Sequence, residues 1–192
     1  MALFDGLNAA YPKELAVIAA QYPFKPLRYL RQTLRLSFAE GIQLLADSGF
    51  PVPDPMADLN TEAERRLGAL VADKYGTDFF ILTRFPAAIR PFYTMPDPAD
   101  PAWSNSFDVF IRGEEIISGA QRIHDPAMLA ASATAAGIPL HTIADYVGSF
   151  RYGAPPHGGA GVGLERVVML FCGLDNIRKA SLFPRDPKRL TP

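Results

Sequence analysis

The chain of 192 residues is 48% hydrophobic and 20% charged, with a formal net charge of −1, three histidines and one cysteine, Cys172. That length suits a single sizeable core; no run approaches the ~20 consecutive apolar residues of a membrane span, and the balanced charge excludes a uniformly basic nucleic-acid surface while leaving room for a local patch. One cysteine excludes an internal disulfide, and the start of the chain, without a basic stretch leading into an apolar run, leads us to expect no secretory signal and a reducing, cytoplasmic setting.

In chain order, the first third reads as helical. YPKELAVIAAQYP places Leu15, Ile18 and Tyr22 at helical intervals with Pro12 near the first turn. TLRLSFAEGIQLLADSG lines up Leu34, Phe38, Ile42 and Leu45 on one stripe that ends at Gly49. After an irregular proline-rich connection, GFPVPDPMADLN, a third helix is expected from TEAERRLGALVADKYG. Here Thr61 and Glu64 stand in capping-box spacing, Leu67, Leu70 and Val71 share a face, and Gly76 ends the pattern. Three helices are thus expected before any strand. Beyond Gly76, DFFILTRF, IRPFYTM, SFDVFIR and EEIISGAQ are short and rich in aromatic and β-branched residues, separated by Pro, Asp and Gly. They predict a mostly antiparallel sheet with a hairpin around Gly113. Helices over Pro126–Ala136 and Pro139–Val147 follow, then FRYGAPPHGG and GGAGVGLERVVMLF, which read together as a strand, a glycine-rich turn and a helix. The expectation is an α+β fold, an antiparallel β-sheet flanked by helices, forming one domain over 1–192 that is mostly helical over 1–76.

The glycine-rich stretch fits neither common nucleotide fingerprint. No frame of residues 158–163 gives G-x-G-x-x-G, and the P-loop spacing from Gly158 to Gly163 is followed by Leu164 and Glu165 where Lys and Ser or Thr should stand. It also delivers Arg166 into the first turn of a helix, where the macrodipole disfavours a cation by roughly 0.3–1 kcal/mol unless something negative lies nearby. On the residues alone, neutralisation by neighbouring Glu165 and a functional role both stay open. Strict alternation along EEIISGAQR raises a second question, because it sends Ser118 and Arg122 to one face and Glu115 to the other. Joint action would require a bulge or a twist near the Gly113 corner.

The run GVGLER resembles motif 3 of the class II aminoacyl-tRNA synthetases. RPFYTMPDP, SNSFDVFIRGEEIISGAQRIHDP and the stretch from SFRYGAPPHGG to the terminal FPRDPKRLTP resemble the aspartyl-tRNA synthetases of the eukaryotic and archaeal type. The resemblance runs from about Tyr11 to Pro192 and is most specific beyond Gly76. It implies the C-terminal part of a class II catalytic domain, because motif 1, motif 2 and the anticodon-reading barrel of that family find no counterpart here. The implied chemistry is ATP-dependent activation of L-aspartate to aspartyl-adenylate and transfer to tRNA-Asp. ATP and Mg²⁺ are the implied cofactors, and L-aspartate, tRNA-Asp (through the complete enzyme) and a second copy or the missing N-terminal part are the implied partners.

Carried over residue by residue, the resemblance assigns Arg166 to the γ-phosphate, with Gly163, Leu164 and Glu165 around ATP. Asp108 and Glu115 become the Mg²⁺ and ATP acids, with Glu115 and Arg166 as the catalytic pair. Ser118 and Arg122 become contacts to aspartate, a planar fork at Arg122 suiting a carboxylate. The plainer reading leaves Asp108 and Glu115 as polar ends of a hairpin, with Glu115 paired to Arg112. Two other functions also fit: a shortened paralogue that binds without completing catalysis, and a ligase activating aspartate for amide formation. His124 and His157 receive no proton-transfer role, His141 is expected at the surface, and Cys172 reads as a buried small hydrophobe outside any zinc spacing.

Overall fold

Two helices open the chain: α1 (Ala2–Ala10), and α2 (Pro12–Gln21), the expected one, with proline in its first turn. α1 is held by tertiary contacts, since Phe4 is buried among the rings of Tyr29, Phe79 and Phe171. The next expected helix is divided at Ser37. In the computed structural model, which describes residues 1–191, Leu34–Ser37 is a strand (β1) and Phe38–Asp47 a helix (α3). Ser37 Oγ accepts from the Glu40 N–H at 3.2 Å and Glu40 Oε2 accepts from the Ser37 N–H at 2.6 Å, a capping box that starts the helix there. The backbone upstream is free to extend, and Leu36 turns into the core while Arg35 faces solvent. A strand therefore precedes the third helix, contrary to the expected order.

That helix, α4 (Thr61–Tyr75), begins one residue earlier than the Thr61 box implies. Asn60 is the N-cap, its side-chain oxygen accepting from the Ala63 N–H at 2.9 Å, and Gly76 closes the helix in the left-handed conformation with φ +69°. Glu64 is thereby released from capping.

The sheet adds β2 (Phe79–Thr83), β3 (Ser106–Ile111) and β4 (Glu114–Arg122), the last two joined by the expected hairpin at Gly113. IRPFYTM is not a strand. Pro91 and Pro96 remove ladder donors, and the segment follows a 3₁₀ turn at Ala87–Ile89 as an irregular strap. It is tied to the end of β4 by Met95 N–H to Gln121 O and Ile123 N–H to Tyr93 O, both 2.9 Å. α5 (Pro126–Ala135) follows as expected, whereas the Pro139–Val147 helix is a 3₁₀ turn leading into α6 (Ala144–Ser149). The glycine-rich stretch is also different from expectation. Its glycines form the body of a strand, β5 (His157–Val162), and only Gly163 separates it from α7 (Leu164–Phe171).

The strands lie in the order β1-β2-β3-β4-β5, with β1 parallel to β2 and every other neighbour antiparallel. Period-2 alternation divides the side chains between two layers. Phe80, Leu82 and Phe110 meet Phe38, Leu45, Leu67 and Val71 of α3 and α4 on one face; Val109 and Ile111 meet Phe4 of α1 and Val167, Leu170 and Phe171 of α7 on the other. The resulting α+β sandwich clamps the β3–β4 hairpin from both sides. α4 crosses it so closely that a Cβ on Gly68 would lie 2.3 Å from the Gly113 Cα.

Candidate functional site

The site is built on one face of β3 and β4, and a bulge decides which side chains reach it. Val109 pairs with Ile117 but Phe110 pairs with Glu115, leaving Ile116 as an extra residue on β4. Consecutive Ile116 and Ile117 both pack into the α7-side core. The slip brings Glu115 back to the face of Asp108 and Ser118, which stand directly opposite each other in the ladder. Of the bulge or twist that alternation demands, a bulge is present, and it places Asp108, Glu115, Ser118 and Arg122 on one face.

At one end of this face lies a cavity of about 290 Å³ lined by Arg90, Tyr93, Thr94, Ser118, Arg122 and Gly161, among others. Its volume falls at the bottom of the ~300–1,000 Å³ range of small-molecule sites, a size for an amino acid rather than a nucleotide. The Arg122 guanidinium lies 4.2 Å from the Tyr93 ring centroid. It also lies close to Gly159, where a Cβ, if present, would touch its Nε and Nη2 at 3.5 Å. Arg122 takes part in none of the ion pairs among the described residues. A stacked guanidinium without a carboxylate partner in a half-buried cleft favours a ligand carboxylate.

The other end is acidic. Burial, then the charge of Asp108, pushes the Glu115 carboxyl above its usual range, partly offset by Arg166 and Arg90. Glu64, in the first turn of α4, is pushed up to about 7 by burial and then by the charge of Glu115. Asp108 is only 4% exposed, and its Oδ1 has no hydrogen-bond partner among the described residues. Carboxylates held close, partly desolvated and short of partners fit a hard divalent cation. Mg²⁺ takes one or two protein carboxylates and completes its shell with phosphate and water. Among the described residues no cluster of three His, Cys, Asp or Glu ligands exists, so this chain would supply only part of that shell.

Neither plain pairing is found. Arg112 donates instead to the carbonyls of Leu170 and Lys25, locking the hairpin to α7. Arg166 donates to the Glu115 carbonyl oxygen at 2.7 Å rather than to Glu165. Gly163, Leu164, Glu165 and Arg166 are all exposed along the rim between β5 and α7, outside the cavity. Arg166 thus reaches the acidic end, while Ser118 and Arg122 form the cavity. His157 stacks on Phe150 and its Nδ1 meets the Pro155 carbonyl, both away from the acids. Cys172 is 3% exposed and burial raises its thiol pKa.

Two charged residues belong to the site that spacing did not single out. Glu64 reads locally as half of a capping box. Arg90 lies in IRPFYTM, read as a strand, and its proline-bounded setting was the available signal.

With this geometry in view, the comparisons converge. Residues 6–187 match the class II tRNA synthetases (D, K and N). The chain is 63% identical over 190 residues to cytoplasmic aspartate–tRNA ligase 1 of Arabidopsis thaliana, covering 99% of this chain and 36% of that protein. Aspartyl tRNA synthetase from Entamoeba histolytica superposes with a TM-score of 0.94 at 54% identity, covering 98% of this chain and 39% of that one. Asparaginyl-tRNA synthetase of the same organism, in complex with asparaginyl-adenylate, gives a TM-score of 0.81 at 28% identity, with coverages of 98% and 42%. The chain spans little more than a third of the length of the relatives it matches. It belongs to the class II tRNA synthetases for aspartate, lysine and asparagine.

Proposed function

We propose that, within this family, the chain supplies the amino-acid cavity and the γ-phosphate side of an aspartate–tRNA ligase. The observation that carries the reading is the Arg122 guanidinium, stacked on Tyr93 and close to Gly159, without an ion-pair partner among the described residues, in the cavity that Ser118 also lines. A planar fork binding the side-chain carboxylate of aspartate discriminates against a neutral amide, which would leave the guanidinium poorly paired. Arg166, at the rim, is oriented by the Glu115 carbonyl to meet the γ-phosphate, with the backbone of Gly163, Leu164 and Glu165 alongside the nucleotide. Asp108 and Glu115 would hold Mg²⁺, which when bound neutralises phosphate charge.

The proposed reaction joins the aspartate α-carboxylate to the α-phosphorus of ATP, expels pyrophosphate, and passes the aspartyl group to the terminal adenosine of tRNA-Asp. Positioning and charge neutralisation provide most of the rate in such chemistry. The cation for the α-phosphate and the surface for the tRNA end lie outside the residues described, in the rest of a complete enzyme or in a second copy. We place the activity in the cytoplasm, where the Arabidopsis relative is named; among the described residues no helix is long and apolar enough to cross a membrane. Amino-acid-dependent ATP–pyrophosphate exchange by the complete natural polypeptide containing this chain tests the reading. Exchange driven by aspartate and not by asparagine or lysine is expected; exchange driven by either of the others overturns it, and asparagine formation from aspartate and ammonia would identify an amide-forming ligase instead.

A further inference from the structure

Arg90 lies on the irregular strap between β2 and β3, and its guanidinium is held on three sides. Cζ stands 3.7 Å from the Phe85 ring centroid. One terminal nitrogen donates to Asp108 Oδ2 at 2.7 Å and the other to Ser118 Oγ at 3.3 Å. The arginine side chain is 12% exposed and that of Asp108 6%. Because Asp108 and Ser118 face each other across the β3–β4 ladder, one planar group ties the acidic end of the site to the hydroxyl of the cavity.

Two consequences follow from the donor and acceptor inventory. A hydroxyl has one proton and two lone pairs, and a guanidinium has donors only. Ser118 therefore accepts from Arg90 and keeps its proton for something else, presenting a donor to a cavity already lined by two guanidinium groups. Among the described residues no Asp or Glu lines that cavity, and Asp108, the acid of this network, is occupied on Oδ2 by Arg90. Such a lining serves a carboxylate and offers no carboxylate acceptor to the NH₂ of an amide, leaving only hydroxyl oxygens for it. Of the four buried side-chain polar atoms without a hydrogen-bond partner among the described residues, three are Arg90 Nε, Asp108 Oδ1 and Thr94 Oγ1. An unmade buried bond is costly, so these three atoms mark a cluster with polar capacity to spare beside the cavity.

Resting on the aspartate reading above, we propose that Arg90 is a positioning residue that enforces acid-over-amide selectivity. It aims the Ser118 O–H at the ligand carboxylate held by Arg122, and it withholds Asp108 from the amide of asparagine. The test is titration calorimetry of L-aspartate and L-asparagine, without ATP or Mg²⁺, on the complete natural polypeptide containing this chain and its Arg90→Met, Arg90→Lys, Ser118→Ala and Arg90→Met/Ser118→Ala variants. Arg90→Met should weaken aspartate at least about tenfold and asparagine by less than about threefold, collapsing the ratio of the two affinities. Arg90→Lys, which keeps a partner for Asp108 but cannot bridge both groups, should lose an intermediate share. On the Ser118→Ala background, Arg90→Met should cost aspartate less than it does alone.

An unchanged ratio in Arg90→Met, equal losses for both ligands with a lower melting temperature, or full additivity in the double variant would overturn the proposal. Should Arg90→Met fail to fold, the ratio in Arg90→Lys decides by the same criterion. If the unsubstituted protein does not prefer aspartate, the aspartate reading falls, and this inference with it; if it does and Arg90→Met keeps that preference, only the role of Arg90 falls.

Discussion

β4 and β5 run side by side along the same site but are built in opposite ways. β4 is paired on both edges, bulged at Ile116, packed on one face against the α7-side core, and carries Glu115, Ser118 and Arg122 on the other. β5 is paired on one edge only among the described residues, is almost wholly exposed, and offers glycine at Gly158, Gly159 and Gly161. The difference separates two tasks. Charged groups that must be aimed are mounted on a strand whose packing immobilises them, whereas the strand opposite contributes the absence of side chains, so that guanidinium and ligand can lie against its backbone.

The sharpest test of that division is to remove its charges. Arg122→Ala should weaken aspartate by about 10²–10³-fold with ATP changed less than about threefold, and Arg166→Ala should do the reverse. Equal losses for both ligands in folded variants, measured by equilibrium titration, would erase the distinction between cavity and rim.

Glycine substitutions probe the two strands next. On β4, a Cβ at Gly119 would lie 2.5 Å from the Phe107 ring and 2.9 Å from the Ala160 Cβ. Gly119→Ala should therefore cost about 1–3 kcal/mol in urea unfolding. On β5, a Cβ at Gly161 meets nothing within 4 Å. Gly161→Ala should leave stability within about 0.5 kcal/mol, yet weaken aspartate about tenfold because the methyl enters the cavity. A stability loss like that of Gly119→Ala would show that β5 is packed as tightly as β4.

The smallest effect lies at the acidic end. Glu64 is raised to about 7 from the usual 4.5. The folded state thus holds its proton more tightly than the unfolded chain, and the stability this contributes is full below about pH 4.5 and is lost as pH rises through about 7. Glu64→Gln should melt like the parent near pH 4 and about a degree or two higher near pH 8. The same difference at both pH values would place the effect in packing rather than charge.

The helices with clear amphipathic stripes, the β3–β4 hairpin and the need for a bulge or a twist were legible locally, because each follows from the spacing of a few residues. β1 was hidden because Leu34 continues the stripe of Phe38, Ile42 and Leu45, and only the Ser37–Glu40 box interrupts the helix. α1 depends on Phe4 meeting Phe171 at the opposite end of the chain, which no local window contains. The candidate site residues entered through the family resemblance, but their pairing did not. Arg112 was available to Glu115 by proximity in sequence, yet it turns to Leu170 and Lys25, and Arg166 takes the Glu115 carbonyl. Arg90 and Glu64 acquire their meaning only from neighbours that folding brings in, Ser118 and Asp108 for one, Glu115 for the other.

The outer border of β5 has a practical consequence. HGGAGV contains no lysine, proline or inward charge of the kind that guards a sheet margin, and its outward amides and carbonyls meet no other strand among the described residues. Such a margin is a template for any extended peptide that drifts past, another molecule of the same kind included. For this polypeptide in isolation, colloidal behaviour at working concentration, more than folding free energy, will govern how long a solution stays clear.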